Sequence, residues 1–283
     1  MLIQFHMLQN YAPSNLNRDD TGSPKDALFG GVRRGRISSQ CLKRSIRFSP
    51  AFRDAFEDGL LGVRTRSLPD LIKKELEGMG VSPVDSDKMI GKLNEIIKGS
   101  KKESEAEEAE QEDEEIKMTT QQLVFLGKGE IKPFAERLKS VYDEIGANKW
   151  EKEKAKDIAQ KLGGSLPKSV DIAMFGRMTT SSTIQDVAAA VQVAHAITAN
   201  ALKPEFDYFT AVDDLSNESG AGMIGDIEFN SSTYYKYINV HWEQLLNNLG
   251  GDIRIAQKAI LALLEAAATS QPSGKQNTFA AHN

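Results

Sequence analysis

LIQFHMLQNY (residues 2–11) and NRDDTGSPKDALFGGVRRGRISSQCLKRSIR (residues 17–47), joined by a short loop with Pro13 and Asn15, decide how the fold begins. In the first stretch Leu2, Gln4, His6 and Leu8 alternate with Ile3, Phe5, Met7 and Gln9. Both faces are largely apolar, so the period of two predicts a strand buried in a sheet. The second stretch holds eight basic residues against three acidic ones, a local charge of +5 in a chain of formal net charge −5. A positive island inside an acidic protein is the electrostatic footprint of a surface that holds a polyanion. Gly30-Gly31 permits close backbone approach, Arg33, Arg34 and Arg36 follow, and Ser38 or Ser39 then caps a helix carrying Lys43, Arg44 and Arg47. A helix N-terminus with free amides and a capping serine suits a phosphate. That helix is predicted from Ser39 to about Phe56, with Leu42, Ile46 and Phe52 toward a core. The chain thus opens β–α, and nucleic acid is the first expectation for a ligand.

Beyond about Gly59 the pattern changes. Residues 68–98 predict short helices broken at Gly78, Gly80 and Pro83, and more helix is expected over 119–128 and about 133–161. Between them ESEAEEAEQEDEE (103–115) places nine acids in thirteen positions without a large apolar side chain, which reads as a solvated, disordered run within 101–116. The whole of 59–168 therefore reads as a helical insertion. β character returns with SVDIAMFGRM (169–178), an alternating strand, and VAAAVQVAHAITA (187–199), where the even spacing of Val187, Val191, Val193, His195 and Ile197 favours strand over alanine's helical preference. FDYFTAVDDLSNESGAGMIGDIEF (206–229) predicts a long hairpin with a Gly/Ser-rich tip, and 233–240 another strand. Helices follow at 242–249, stopping at Gly250-Gly251, and from Asp252 to about Ser270. The order, β–α–(helical insertion)–β–β–hairpin–β–α, is α+β and compatible with a ferredoxin-like or RRM-like sheet carrying a large insertion.

Composition sets the outer bounds. At 283 residues, 40% hydrophobic and 27% charged, the chain can bury a core and is neither a disordered nor a membrane protein by composition. Its N-terminus lacks a positive leader and no segment reaches transmembrane length, so a cytoplasmic location and no membrane partner are expected. The single cysteine, Cys41, cannot form an internal disulfide, which fits a reducing compartment. Lys43 and Arg44 beside it favour a lower thiol pKa, but with no partner motif it reads as a small helix-facing residue.

Catalytic machinery is not visible. Asp19-Asp20 and Asp213-Asp214 are adjacent pairs, and neighbouring residues on an extended chain point apart, whereas a divalent cation needs converging carboxylates. Loop-shaping hydrogen bonds and pairing with Arg18, Arg33 or Arg34 are the plainer role for the first pair. His6, His195, His241 and His282 share no metal-ligand spacing, and neither a P-loop nor a dinucleotide-binding glycine turn is present. No metal and no cofactor are expected. Lysines and arginines supply sequence-blind phosphate contacts, and Met178, Phe209, Leu215 and Met223 are apolar side chains on projections, suited to stacking on or wedging between bases.

Five motifs in order, NLNRDDTGSPKDALFGGVRRGRISSQCLKRSIR at 15–47, GRMTTS at 176–181, AHAITAN at 194–200, FTAVDDL at 209–215 and FNSSTYYKY at 229–237, closely resemble the repeated, RNA-coating backbone subunit of type I-E CRISPR Cascade complexes, of the RAMP superfamily. The likeness covers both β regions and is weak across the insertion. It implies an RRM-like palm (1–58, 169–202 and 231–283), a helical finger (59–168) and a thumb hairpin (203–230). It further implies subunits stacked head to tail along a guide RNA (crRNA), which then pairs in segments with target DNA, alongside other Cascade subunits. By position, Arg18, Lys25, Ser38, Gln40, Lys43 and Arg47 match residues that hold the RNA backbone, and Arg33 and Arg34 belong to the same basic group. Met178, Phe209, Thr210 and Leu215 match residues at the kink between RNA segments. The family's chains usually continue beyond KQNTFAAHN, so the palm is expected to be incomplete here, lacking a final strand and helix. The acidic run is an addition to the finger. A metal-dependent ribonuclease of the same superfamily, working through loop aspartates, is the alternative. A host protein of RRM type ranks below it because the strands lack an aromatic stacking pattern.

Overall fold

The structure, a computed structural model, describes residues 1–98, 124–163, 169–179, 183–212, 215 and 222–280. Its elements run β1 (Leu2–Ser14), β2 (Asp26–Phe29), β3 (Val32–Ile37), α1 (Ser39–Phe48), α2 (Pro50–Arg53), β4 (Gly62–Thr65), α3 (Leu68–Gly78), α4 (Pro83–Lys98), β5 (Val124–Gly127), α5 (Lys128–Ile145), α6 (Ala147–Trp150), α7 (Ala155–Leu162), α8 (Val170–Phe175), β6 (Val191–Val193), β7 (Ala196–Thr198), β8 (Glu205–Ala211), β9 (Met223–His241), α9 (Trp242–Asn248) and α10 (Ile253–Thr269). The chain is thus a mixed α and β protein with an antiparallel sheet, divided into two compact units. One comprises Met1–Ala55, Val191–Trp242 and Gln257–Asn283, the other Phe56–Ala190 and Glu243–Ala256.

The first unit is built around β9. Its second half pairs with β1 from Asn230↔Ser14 to His241↔Leu2, while its other edge takes β6 and β7, with β3 and then β2 beyond. Its first half pairs only with β8, from Phe229↔Glu205 to Met223↔Ala211, which makes the hairpin expected over 206–229. Tyr234, Lys236, Ile238 and Val240 point to the buried face, and the odd-numbered residues between them stay half-exposed, the period-two signature of a sheet covered on one side. Lys236 lies in that buried layer, where its Nζ donates to the Ala267 carbonyl of α10 at 2.6 Å.

Several expectations for this unit need correction. β1 is an edge strand with alternating exposure rather than a strand buried on both faces. The stretch 26–37, for which no element was predicted, is the β2–β3 hairpin; Gly30 (φ 63°) and Gly31 (φ 76°) form its two-residue turn, a conformation that glycine adopts cheaply at both positions. The helix from Ser39 ends at Phe48, because Pro50 has no N–H to continue it; Ser49 Oγ donates to Ile46 O and accepts from Phe52 N, restarting the chain as α2. The strand at 187–199 is two short strands, β6 and β7, with Ala194 and His195 between them.

In the second unit α3, α4, α5 and α7 pack around Leu68, Ile72, Leu76, Ile90, Leu93, Phe134, Leu138 and Ile158. Leu68, Ile72 and Leu76 recur at four-residue spacing, so one stripe of α3 faces the core. Trp150 is buried against Tyr142, edge to face at 5.0 Å, and donates from Nε1 to Lys88 O. Here the helix expected over 119–128 is corrected: 124–127 is β5, paired with β4, and 119–123 lie outside the described residues, as does the acidic run 101–116. The strand expected over 169–178 is instead α8, whose six residues are all buried. A short run enclosed on every side has no solvent face to set its period, so apolar alternation cannot separate strand from helix there.

Candidate nucleic-acid interface

The basic residues of the N-terminal segment are carried by the 17–25 loop, β3 and α1. The loop is folded on itself by Asp19, whose Oδ1 accepts from Thr21 N (2.9 Å), Thr21 Oγ1 (2.8 Å) and Ser23 N (3.0 Å). The Thr21 hydroxyl, followed by the backbone amides, holds that carboxyl below its ordinary pKa. Arg18 bridges to Pro24 and is exposed, Lys25 is half-buried, and its N–H donates to Asn17 O while its carbonyl accepts from Arg36 N. Asp20 is exposed, and Asp213 and Asp214 lie outside the described residues. Among the described residues no three His, Cys, Asp or Glu side chains gather as metal ligands.

Capping of α1 differs from expectation. Ser38 stands at the N-cap position, but its side chain makes no capping bond; its N–H donates to Asn17 Oδ1 at 2.9 Å. Asn17 thus ties the loop to the helix start, a role that its local sequence does not announce. Ser38 is only 2% exposed and its Oγ has no hydrogen-bond partner. A desolvated hydroxyl left unpaired costs about 1–3 kcal/mol. Gln40 is exposed beside it, and Lys43 and Arg47 follow at four-residue spacing on α1, one turn apart on the same face. The three cationic β3 side chains divide their tasks. Arg33, mostly exposed, pairs with Asp26 at 3.1 Å. Arg34 is spent inside the fold, donating to Phe29 O, Thr198 O and Ala199 O. Arg36 donates to Asp26 O and lies 3.1 Å from His195 Nδ1, where burial, then Arg36 and Lys25, lowers the imidazole pKa and keeps the ring neutral. Burial outweighs Lys25 and Arg44 at Cys41 and raises its pKa, so the thiol stays protonated.

The hairpin of β8 and β9 projects apolar groups. Phe206, Tyr208, Val212, Met223 and Ile224 are all more than half exposed, and Leu215 is 94% exposed. Phe209 is half-buried over Gly225, where an added Cβ would meet the ring at 2.7 Å, and Thr210 is exposed opposite Ile224. Met178 belongs to the second unit, 94% exposed, directly after Arg177, whose guanidinium is buried against Glu130. One feature of the first unit escaped the sequence reading: His6, Tyr235 and Tyr237 sit together on the half-exposed sheet face, with His6 Nδ1 2.7 Å from Tyr235 OH. The alternation of β1 and of 233–240 contains that signal once the two strands are paired.

A family model of CT1975-like protein matches residues 3–283. Among solved structures, a chain of a "CRISPR RNA-guided surveillance complex, pre-nicking" is 32% identical with a TM-score of 0.77, covering 99% of this chain and 75% of that one. A chain of a second "CRISPR RNA-guided surveillance complex" is 27% identical with a TM-score of 0.64, covering 97% of this chain and 74% of that one. No curated protein matches.

Proposed function

The chain belongs to the family of CT1975-like proteins, and from that premise we propose that it is the guide-RNA-binding backbone subunit of a type I-E CRISPR surveillance complex. The likeness over 99% of its length to a subunit of an RNA-guided complex carries this reading. Residues 1–58, 169–202 and 231–283 act as an RRM-like palm, 59–168 as the finger, and the hairpin within 203–230 as a thumb. Arg18, Lys25, Arg33, Ser38, Gln40, Lys43 and Arg47 hold crRNA phosphates, and Arg34 supports the β3 scaffold they stand on. Because phosphate contacts carry no sequence information, any guide can be bound, and pairing between guide and target DNA supplies specificity. A two-stranded ribbon exposing Phe206, Tyr208 and Ile224 is marginal in isolation and gains stability against a partner. In this reading the partner is the next copy, engaged head to tail, and a heterologous contact that does not close generates a filament. Met178, Phe209, Thr210 and Leu215 stand at the kink that divides the guide into segments. The chain performs no catalysis and works with the other Cascade subunits.

Fluorescence anisotropy with a labelled guide-length RNA, with and without magnesium and across a salt series, tests this. Binding should weaken steeply with salt while the RNA stays intact. Lys43→Ala with Arg47→Ala should flatten the log–log salt slope by about 1.4, two single-strand phosphate contacts at roughly 0.7 each. Absence of binding at low salt counts against the proposal, and magnesium-dependent cleavage lost in Asp19→Ala or Asp20→Ala favours the nuclease.

A further inference from the structure

At the C-terminal end of α1, three guanidinium groups gather around the ring of Phe48. Phe48 is 50% exposed, and the guanidinium carbons of Arg44, Arg53 and Arg47 stand 4.7, 5.4 and 5.8 Å from its ring centroid. From Ala27 to Arg53 the chain has seven basic residues and no Asp or Glu. Arg44 and Arg53 turn to the ring, and among the described residues neither is paired with a carboxylate. Beside them opens a cavity of about 470 Å³, walled by Cys41, Arg44, Ser45 and Phe48 on α1 and by Thr269–Gly274 on the other side.

We propose that this cavity is a nucleobase subsite: one unstacked base of a bound single strand lies against Phe48, with Arg44 and Arg53 on the adjoining phosphate. The inference rests on the RNA-binding reading above and extends it to a site for a base. Each observation constrains the ligand. The Arg44 and Arg53 guanidinium groups, converging without a carboxylate partner among the described residues, call for an anion. The exposed ring calls for a flat partner, which a bare phosphate or an acidic peptide does not provide, whereas base–aromatic and base–guanidinium stacking are standard means of holding single strands. The cavity has the volume of a small-ligand site.

The test compares wild-type chain with Phe48→Ala, Phe48→Tyr and Arg44→Ala/Arg53→Ala for binding to oligouridine of guide length and to the same strand made abasic. Phe48→Ala should bind oligouridine about tenfold more weakly, with unchanged salt slope, while Phe48→Tyr restores the affinity. On the abasic strand wild type and Phe48→Ala should bind alike. The double arginine variant should instead flatten the salt slope. Photo-crosslinking of a 5-iodouridine strand should map to the peptide containing Phe48. If Phe48→Ala matches wild type on oligouridine, or if its loss is as large on the abasic strand, the base subsite is wrong while the phosphate reading stands on Lys43 and Arg47. If the wild type binds no RNA, both readings fall.

Discussion

Replacing Arg177 by methionine is the sharpest structural test, because the side chain anchors the segment that presents Met178. Arg177 Nη1 lies 2.7 Å from Glu130 Oε2 and 3.3 Å from Phe125 O, and Nε donates to Gln185 O at 3.0 Å. Side-chain exposure is 4% for Arg177 and 0% for Glu130. Glu130 Oε2 also accepts from Gly127 N, and Oε1 has no partner. Removing the guanidinium strands a buried carboxylate, which costs about 3–5 kcal/mol. Glu130 can escape only by taking a proton. Burial already raises its pKa, against the lowering by Arg177, so the native state holds this proton more tightly than the unfolded chain does. Stability attributable to the group therefore falls as pH rises from the ordinary glutamate range through the raised native value. Without Arg177 that window extends upward. Urea unfolding should show Arg177→Met destabilised by about 3–5 kcal/mol at pH 7, with the deficit shrinking as pH falls toward 5. Adding Glu130→Gln should recover part of it. A deficit below about 1 kcal/mol at pH 7, or one that is flat with pH, refutes the reasoning.

Three further outcomes follow from single side chains. Burial lowers the Lys236 pKa to about 8, against roughly 10.4 unfolded, so its burial costs about 3 kcal/mol at neutral pH and that cost is relieved as pH rises from 8 toward 10. In chemical unfolding Lys236→Met should be the more stable form at pH 7, with its advantage over wild type shrinking by pH 10; a constant difference counts against a buried ammonium. Asn17→Ala removes the acceptor at Ser38 N and should lower the unfolding free energy by about 0.5–2 kcal/mol in urea titration, with Asn17→Asp retaining most of it. Gly225→Val puts a side chain into the Phe209 ring and should abolish multimeric assembly on RNA, seen by sedimentation, while global stability moves by less than about 0.5 kcal/mol because the ribbon is exposed. Single-copy RNA binding retained alongside lost assembly is the expected pairing.

How far the sequence could be read depended on what each segment touches. The hairpin, α3, α4, α9 and α10 were legible because half of each faces solvent, so a period of 2 or 3.6 is written in the residues. α8 was misread because VDIAMF is enclosed on all sides and carries no such contrast. The β2–β3 hairpin was missed since its arginines mask the alternation: Arg34 and Arg36 are held by backbone carbonyls of other strands, a use of charge that no local pattern announces. At the interface, the concentration of cations was visible, but the division of labour was not. Asn17 as the tie to α1, Arg34 as scaffold and Phe48 as the centre of three guanidinium groups all depend on contacts made across the fold or around a helix end.

The central claim, that copies of this chain assemble along a guide RNA, is tested most directly by native mass spectrometry of the chain with single-stranded RNAs of stepwise increasing length. The account predicts that the number of bound copies rises by one for each fixed increment of nucleotides, with every RNA intact. A single copy whatever the length, or shortened RNA in the complexes, would contradict it.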